Sequence, residues 1–334
     1  MNSSGVYADI AALIAGGKPM AIWVDPDGRL HKASEAEPFT IVEAWAKYAD
    51  RRVIGGKSLA TTDTFTETPH AYEVEPYSTL RDDYLSAVGA VIAGLKTRGG
   101  KSVISRTTCG SALGVDWAAV AMRYFERYPS TMRYLYFTPQ TGYWLGASPE
   151  LLYRGDGRGH VDTMALAGTR RSCAGAWDIK NVHEHRIVVD YIAAVLAECG
   201  LNVTVSDMET LDYGIIQHLL TRISASGHYD GHAAILDRLS PTPALAGYPL
   251  DAARRDIRSA ERHSRRCYSG YVAVGGDDTR LEAYVNLRCV NFDRHRWCIY
   301  TGGGITAEST ADDEWRESEV KAAVLAKLIQ DSRR

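Results

Sequence analysis

The sequence Thr301-Gly302-Gly303-Gly304-Ile305 is followed, after a short gap, by Glu314-Trp315-Arg316-Glu317-Ser318-Glu319-Val320-Lys321. Residues three and four positions apart share one face of a helix, so the spacing predicts a stripe made of Glu314, Glu317, Lys321, Val324 and Leu328. The apolar end of the stripe indicates that it faces inward. A buried carboxylate costs several kcal/mol unless a cation offsets it, which predicts a metal or ligand site. The alternative is a solvated Glu-to-Lys pair on the helix surface.

The composition is that of an ordinary globular protein. The chain has 334 residues, of which 45% are hydrophobic and 24% are charged, enough for one extended core or two domains. The net charge is -3 and the 38 Lys and Arg residues are dispersed, so we expect no nucleic-acid partner and no membrane-binding patch. No apolar stretch approaches the roughly 20 residues of a membrane span, and the first residues do not resemble a secretory signal. We therefore expect a cytoplasmic protein.

The cysteines give no sign of a metal site or a disulfide framework. They are Cys109, Cys173, Cys199, Cys267, Cys289 and Cys298, and they have no close paired spacing. Such a pattern predicts reduced, mostly buried thiols. The run His183-Glu184-His185 is also a poor zinc motif, because its two histidines diverge on a helix.

Strand and helix patterns alternate in the first part of the chain. Residues 20–24 predict a short strand that ends at a turn over residues 25–28. Residues 82–96 predict a helix, which Gly99-Gly100 ends. Residues 101–106 then predict a strand with Lys101 at its mouth. Taken alone, Lys101 fits an ordinary solvated lysine.

A second helix pattern also begins with an acid that faces inward. In residues 183–201, Val188, Ile192, Val195 and Cys199 recur at helical spacing. Glu184 precedes Val188 by one turn, so extending the apolar stripe backward turns Glu184 inward. The sequence therefore predicts two helices that each place a carboxylate at their buried face.

From residue 268 the pattern predicts a β meander. Its strands cover residues 268–274, 281–292 and 297–301, with a turn over residues 275–278. Arg288 lies on the long middle strand, where its planar guanidinium suits bidentate capture of a carboxylate or pairing with an acid of the protein. Gly302-Gly303-Gly304 lacks the Gly-x-Gly-x-x-Gly spacing of dinucleotide sites. These glycines would let backbone amides approach an anionic ligand.

These motifs occur in an order that resembles the chorismate-utilising enzymes and, within them, the isochorismate synthases. They lie between residues 101 and 321, about two thirds of the chain. The matching stretches are Lys101-Ser-Val-Ile-Ser-Arg106, Ser148-Pro149-Glu150-Leu151, Leu166-Ala-Gly-Thr-Arg170, Glu184-His185, Gln217-His218-Leu219, Ser240-Pro-Thr-Pro-Ala244, Tyr268-Ser-Gly270, Asn286-Leu-Arg288-Cys289, Gly302-Gly-Gly-Ile305 and Glu314-Trp-Arg-Glu317 to Lys321.

The resemblance implies a fold of the α/β class, of the α+β type. Two antiparallel β-sheets would pack together with helices outside them and the active site between them. The whole chain, residues 1–334, would form a single chorismate-binding domain. Residues 1–100 would be a divergent N-terminal layer of that domain, and residues 101–330 its catalytic part.

The resemblance also implies roles for the matched positions. Glu184 and Glu317 would hold Mg²⁺, with Glu314 as an auxiliary carboxylate. Lys101 would be the base that activates water, and Glu150 the acid that protonates the departing hydroxyl. The substrate would contact Gly168, Thr169, His218, Ala244, Tyr268, Leu287, Arg288, Gly302, Gly304 and Lys321. Lys321 is expected to face the substrate rather than to serve as a counter-ion of the acids.

Lys101 separates the branches of the family. Relatives that use ammonia typically have glutamine here, whereas a lysine can deprotonate water if burial lowers its pKa toward neutrality. We therefore expect no obligatory amidotransferase partner, and either a monomer or a homodimer. Ala244 resembles the isochorismate synthases. Tyr268 and Leu287 resemble the salicylate synthases, but both residues also occur in isochorismate synthases of the menaquinone branch. We expect isochorismate as the product; the alternatives are a salicylate synthase and a non-catalytic chorismate-binding protein.

Three positions depart from the family pattern. Asn181 stands where relatives often have an acid one turn before Glu184, which would weaken the metal site. Ser240 replaces the histidine of the His-Pro-Thr-Pro loop, and Arg171 replaces a proline. Lys101 and the predicted acids are intact, so we expect an active enzyme.

Overall fold

The computed structural model describes residues 3–55, 73–171, 175–212, 216–276 and 279–333. Cys173, the Arg171 side chain and the turn at Asp277-Asp278 lie outside this description. Within it the chain forms seven α-helices, which are α1 (Ser3–Gly16), α2 (Arg81–Arg98), α3 (Trp117–Arg127), α4 (Ile179–Glu198), α5 (Gly231–Leu239), α6 (Leu250–Ala260) and α7 (Ala311–Asp331).

The described strands form two antiparallel sheets. The first sheet has the spatial order β13-β5-β17-β16-β7-β6-β1-β2, and the second has the order β10-β12-β9-β8-β15-β14-β3-β4, with β11 also paired to β12. The strands are β1 (Met20–Val24), β2 (Leu30–Lys32), β3 (Phe39–Val42), β4 (Arg52–Ile54), β5 (Lys101–Ser111), β6 (Met132–Thr138), β7 (Gly142–Ser148), β8 (Leu151–Gly155), β9 (His160–Arg171), β10 (Asn202–Val205), β11 (Glu209–Asp212), β12 (Ile216–Ser226), β13 (Gly247–Tyr248), β14 (Tyr271–Gly275), β15 (Leu281–Val285), β16 (Cys289–Phe292) and β17 (Arg296–Ile305).

The two sheets pack face to face and the helices cover their outer faces. A largely aromatic core lies between the sheets. The first sheet contributes Tyr134 and Trp144 to this core, and the second sheet contributes Val272, the residue after Tyr271. Helices α4 and α5 pack on the outside of the second sheet, while α1, α3 and α7 pack on the outside of the first. This arrangement confirms the predicted fold class.

The N-terminal residues contribute to both sheets. Strands β1 and β2 extend the edge of the first sheet beyond β6, and β3 and β4 extend the second sheet beyond β14. The predicted strand over residues 20–24 and the helix over residues 82–96 are both confirmed. The interpretation of residues 1–334 as one domain stays a prediction. In the described part of the chain, no helix has the length and apolar character to cross a membrane.

Helix α4 turns Glu184 inward, as its apolar spacing predicts. The Asp178 carboxylate caps the helix by accepting a hydrogen bond from the Asn181 amide at 2.7 Å, which satisfies one of the free N–H groups of the first turn. Glu184 is buried together with Val188 and Ile192 on the same face. Because the cap fixes the residue at which α4 begins, it also fixes the position of the buried Glu184 carboxylate.

Helix α7 rotates differently from the predicted stripe. Its buried residues are Glu314, Ser318, Ala322, Leu325 and Ile329, so only Glu314 of the predicted stripe lies on the fully buried face. Glu317 and Lys321 lie at the border of this face and keep partial exposure, at 25% and 19% of their side chains. The buried face of α7 is displaced by one residue position from the predicted stripe. Glu317 and Lys321 therefore lie at a cleft rather than in the core.

The predicted middle strand of the meander is wrong as one element. Residues 281–292 divide into β15, which pairs with β8 and β14, and β16, which pairs with β7 and β17 in the other sheet. Arg288 lies between them with a φ of 47°, a left-handed conformation that strands do not use. The chain crosses from one sheet to the other at this point, which puts Arg288 between the sheets.

Candidate active site

A cleft opens at the end of the two sheets, beside α4 and α7. Strands β5 and β17 form one wall, and β9 and β12 form the opposite wall. Of the predicted site residues, the cleft is lined by Lys101, Glu150, Gly168, Thr169, Glu184, His218, Ala244, Tyr268, Leu287, Arg288, Gly302, Gly304, Glu317 and Lys321. Glu314 lies behind the wall and does not line it.

Lys101 and Glu184 form a buried ion pair at the floor of the cleft. The Lys101 side chain is 1% exposed, and its Nζ lies 2.8 Å from Oε1 of Glu184. A side chain at Gly304 would not fit here, because an added Cβ would lie 2.2 Å from Glu184 Oε1 and 2.7 Å from Lys101 Cε. The glycine of β17 thus leaves the space that this pair occupies.

Lys321 pairs with Glu317 one turn away on α7. Its Nζ donates to Glu317 Oε1 at 2.6 Å and to the carbonyl oxygen of Gly302 at 2.9 Å. The prediction that Lys321 does not serve as a counter-ion of the acids is therefore wrong, whereas its contact with the substrate stays a prediction. Lys321 lines the cleft and neutralises Glu317 at the same time.

Lys180 is a member of the site that sequence reasoning missed. Its Nζ donates to Oε1 of Glu314 at 2.7 Å, and the same oxygen accepts a hydrogen bond from Ser309 at 2.7 Å. Lys180 also lines the cleft. The available signal was its position on α4, four residues before Glu184, which places both side chains on one helix face.

These three pairs bring three carboxylates and three ammonium groups together. Burial favours the neutral form of Glu184, but Lys101, Lys180 and Lys321 outweigh it and lower the pKa of the Glu184 carboxyl. Glu314 differs, because burial and the nearby Glu317 carboxylate raise its pKa despite Lys180. The cluster therefore pairs three acids with three amines, and its surroundings favour the ionised form of Glu184 more than that of Glu314.

The predicted Mg²⁺ ligands are compatible with the ion by donor type. Carboxylate oxygens are the protein ligands that Mg²⁺ prefers, and Glu184 and Glu317 present such oxygens at the cleft. In this structure each carboxylate is engaged by an ammonium, and among the described residues no group of three acidic, His or Cys side chains has the spacing of a metal site. A divalent cation would have to replace these ammonium partners.

Glu150 lies between β7 and β8 and is 3% exposed. Burial raises the pKa of its carboxyl to about 8, although the Lys101 ammonium acts in the opposite direction. At neutral pH this carboxyl carries a proton, as a general acid must. A buried acid and a buried amine thus face the same cleft from two different strands.

His218 and Arg288 form the opposite side of the cleft. An Arg288 Nη2 hydrogen donates to His218 Nε2 at 2.8 Å, so Nδ1 is the protonated ring nitrogen and lies 3.0 Å from the carbonyl oxygen of Gly168. Burial, followed by Arg288 and Lys321, lowers the pKa of the imidazole well below its usual value. His218 is therefore a neutral residue that orients a permanent cation.

Asn181 orients the turn that carries Gly168 and Thr169. Its Oδ1 accepts a hydrogen bond from the Thr169 amide at 3.0 Å, and its Nδ2 donates to Asp178. Gly168 has a φ of 75°, which favours glycine. The departure from an acid at position 181 thus gives a neutral amide with a defined structural role.

Ser240, the second departure from the family pattern, lies at the end of α5. Its backbone amide donates a hydrogen bond to the carbonyl oxygen of Leu236.

Behind the cleft, a fully buried ion pair joins the segments that carry site residues. Arg265 and Glu261 are 2% and 3% exposed and lie 2.6 Å apart. Arg265 also donates to the carbonyl oxygens of Val103 and Leu245, at 2.6 and 2.8 Å. These contacts hold β5, which begins at Lys101, against the loop that contains Ala244. Sequence reasoning missed this pair, although its spacing of four residues was visible.

Tyr268 completes the cleft between these segments. It is 4% exposed and stacks on Tyr300 of β17 with ring centroids 5.6 Å apart. An added Cβ at Gly302 would lie 2.7 Å from the Tyr268 hydroxyl, so the glycine is needed for this approach. Together, a cationic wall, a protonated acid and a buried amine suit proton transfer to and from a small anionic ligand.

Comparison with known proteins agrees with this chemistry. Residues 42–330 match the protein family described as chorismate binding enzyme. The isochorismate synthase MenF of Pasteurella multocida is 33% identical over 204 residues, which cover 56% of this chain and 47% of that protein. The isochorismate synthase EntC of Escherichia coli K12 is 31% identical over 201 residues, 56% of this chain and 51% of that protein. The chain spans about half the length of these curated relatives.

The fold is also found in a solved structure. The menaquinone-specific isochorismate synthase MenF from Escherichia coli superimposes with a TM-score of 0.76 and 20% sequence identity, covering 96% of this chain and 91% of that chain. At this identity the likeness shows a shared fold. The match extends through both sheets and hence through the frame that holds the cleft.

Proposed function

Because the chain belongs to the chorismate binding enzyme family, we propose that it converts chorismate to isochorismate. The observation that carries the proposal is that a buried lysine and a buried glutamic acid of raised pKa line the same cleft. Lys101 is 1% exposed, and burial raises the pKa of Glu150 to about 8. Isochorismate synthases among the relatives support the same reaction.

The proposed reaction moves a hydroxyl group by exchange with water. The amine of Lys101 accepts a proton from a water molecule as the oxygen of that water bonds to the ring carbon ortho to the carboxylate. The ring double bonds shift, and the bond to the para hydroxyl breaks. Glu150 donates its proton to that hydroxyl, which leaves as water. One water enters and one leaves, so substrate and product are isomers.

The cationic groups of the cleft would orient the two carboxylates of the substrate. Arg288, held by His218, offers a guanidinium fork for the enolpyruvyl carboxylate. The amides near Gly302 and Gly304 and the ring of Tyr268 would complete that subsite. Thr169, Gly168, Leu287 and Ala244 would contact the ring, and Lys321 would remain at the entrance beside Glu317.

Mg²⁺ would be held by Glu184 and Glu317, with Glu314 as an auxiliary carboxylate, and would supply positive charge to the ring carboxylate. For this to occur, Lys101 must exchange its contact with Glu184 for one with water. The cytoplasmic location, the single domain, the independence from an amidotransferase and the monomeric or homodimeric state stay predictions.

A product analysis tests the proposal. Purified protein is incubated with chorismate, with and without Mg²⁺, and the products are separated by chromatography. Isochorismate alone supports the proposal. Salicylate with pyruvate would assign the alternative lyase reaction, and binding of chorismate without turnover would assign a binding protein.

A further inference from the structure

Cys109 and Cys298 are directly opposed on the neighbouring strands β5 and β17. Their sulfur atoms lie 2.8 Å apart. Directly opposed residues of antiparallel strands have Cα atoms about 4.5–5.5 Å apart, a separation that falls within the range of disulfides. A bond between the two sulfurs therefore requires a small movement of the side chains and no change of strand register.

The two thiols differ in exposure. Cys298 is completely buried in the core between the sheets, whereas Cys109 is partly exposed. The Cys109 thiol donates to the carbonyl oxygen of Tyr77 at 3.2 Å, and Tyr77 itself is 76% exposed. Cys109 thus lies at the edge of the core, with Cys298 beside it on the neighbouring strand.

The surroundings give the two sulfurs different chemical roles. Burial and the adjacent Cys109 raise the pKa of the Cys298 thiol far above its usual value, so Cys298 is a poor first nucleophile. The other described cysteines, Cys199, Cys267 and Cys289, are free thiols. Cys109 and Cys298 are the described pair whose sulfurs are in hydrogen-bonding contact.

We propose that Cys109 and Cys298 form a reversible disulfide when the protein meets a hydroperoxide. The Cys109 sulfur attacks the terminal peroxide oxygen, which breaks the O–O bond and gives a sulfenic acid; with hydrogen peroxide, water is released. The Cys298 sulfur then displaces the sulfenic hydroxyl, which leaves as a second water with the thiol proton. Two thiols are oxidised to one disulfide, and one hydrogen peroxide is reduced to two waters.

The bond would connect the two strands that form one wall of the cleft. Strand β5 begins at Lys101 and β17 ends beyond Gly304, and both continue directly from the cysteine pair. Tyr300, two residues after Cys298 and on the same side of β17, stacks on Tyr268. A cross-link between residues far apart in the chain also restricts the unfolded state. We expect the oxidised protein to unfold at a higher temperature than the reduced protein.

The test uses the full chain and hydrogen peroxide as the probe. Protein is treated with stoichiometric peroxide, free thiols are blocked with iodoacetamide, and peptides are mapped by mass spectrometry. We expect a peptide pair linked through Cys109 and Cys298, together with a higher melting temperature that dithiothreitol reverses. Recovery of both residues as alkylated thiols, or bonding of Cys109 to a different cysteine, would overturn the proposal.

Two variants make the outcome independent of folding defects and of the proposed function. In Cys298→Ser, the sulfenic acid on Cys109 has no resolving thiol, so dimedone should label Cys109 and the melting temperature should not respond to peroxide. Cys199→Ser, a matched control at the residue that follows α4, should keep the linked peptide. Labelling of Cys109 by dimedone in equal yield in the unsubstituted protein and in Cys298→Ser would refute Cys298 as the resolving thiol. Chorismate turnover is not needed for any of these readouts.

Discussion

Two groups of ion pairs, one fully buried and one at the cleft, lie within the same molecule and differ in how completely their charges are hydrogen-bonded. Behind the cleft, all three nitrogens of the Arg265 guanidinium donate hydrogen bonds, to Glu261, to two backbone carbonyls and to Ser269. In the cleft, the Lys101 ammonium contacts Glu184, and Lys321 contacts Glu317 and Gly302. The Arg265–Glu261 pair, called here the saturated pair, resists exchange of partners because all of its donors are used. The Lys101–Glu184 pair, called here the exchangeable pair, lies at the cleft and can exchange partners with a ligand.

The difference follows from side-chain chemistry. A guanidinium is always charged and presents a rigid fork that fits several acceptors. An ammonium has a compact charge on a flexible stem and can lose its proton. The structure uses arginine where segments must be joined and lysine where we propose that protons move. Three substitutions and one pH titration test this contrast.

The largest expected effect is on catalysis at the exchangeable pair. Lys101→Ala removes the proposed base, so turnover of chorismate should fall about 10²- to 10⁴-fold. Steady-state assays measure the loss, and a melting curve shows whether the variant is folded. Lys327→Ala, which changes an exposed lysine of α7, should retain the activity of the unsubstituted protein. Full activity in Lys101→Ala would remove Lys101 from the mechanism.

The saturated pair should respond in stability. Arg265→Met leaves Glu261 as a buried charge without its guanidinium, so the free energy of unfolding should fall by about 3–5 kcal/mol. Chemical denaturation measures this change. The matched control Arg316→Met removes a pair with Asp313 that is 69% and 68% exposed, and should cost less than about 1 kcal/mol. Equal losses in the two variants would contradict the structural role of Arg265.

A smaller effect is expected from crowding the exchangeable pair. Gly304→Ala places a Cβ 2.2 Å from Glu184 Oε1, which must displace the carboxylate, and misplaced catalytic groups cost about 10²-fold in rate. The assay is chorismate turnover. Gly89→Ala on α2 is the control, because its added Cβ meets nothing within 4 Å; it should keep activity and gain about 0.5–1 kcal/mol of stability. Unchanged turnover in Gly304→Ala would show that the pair tolerates displacement.

The smallest expected effect is a pH dependence of the turnover rate. It is set by Glu150, which lines the same cleft as the Lys101–Glu184 pair. The pKa of Glu150 is raised to about 8, so the proton it must donate is lost as pH rises through 8. The turnover rate should therefore fall about tenfold per pH unit above that value. The same raised pKa stabilises the fold below the carboxyl's ordinary value, and this contribution is lost as pH rises through about 8.

Glu150→Gln provides the control for the pH measurement. The amide does not titrate, so its melting temperature should lack the decline that the unsubstituted protein shows as pH rises from the carboxyl's ordinary pKa of 4.5 to the raised value of about 8. Identical pH profiles of stability in both proteins would assign the titration to a different group. The activity of Glu150→Gln should be low at every pH, because the proposed proton donor is absent.

Sequence patterns predicted the elements that depend on local spacing. The apolar stripe of residues 188–195 placed Glu184 inward, and α4 confirms this. Strand β5 and the helix over residues 82–96 also follow from period and from turn-forming glycines. The order of short motifs between residues 101 and 321 led to the family, which the match over residues 42–330 confirms. These predictions are confirmed because they depend only on residues that are near neighbours in the chain.

Other features depended on contacts between distant segments. No spacing rule indicated that residues 286–288 carry the chain from one sheet to the other, because both halves have strand-like composition. The predicted stripe of α7 was displaced because burial of Ser318 and Ala322 against the first sheet fixed the rotation of the helix. Lys180 and Arg265 were missed for a related reason, since a lysine or arginine in sequence does not show whether its partner is water or a buried acid.

Which charged residues the cleft could contain, and which family the chain resembles, followed from the order of the residues. How those charges are paired depended on the folded arrangement of distant segments. This arrangement joined Lys101 to Glu184, Lys321 to Glu317 and Lys180 to Glu314. The physical reason is that local spacing sets the direction of a side chain, whereas the energy of a charge depends on every group that surrounds it and on how much water is excluded.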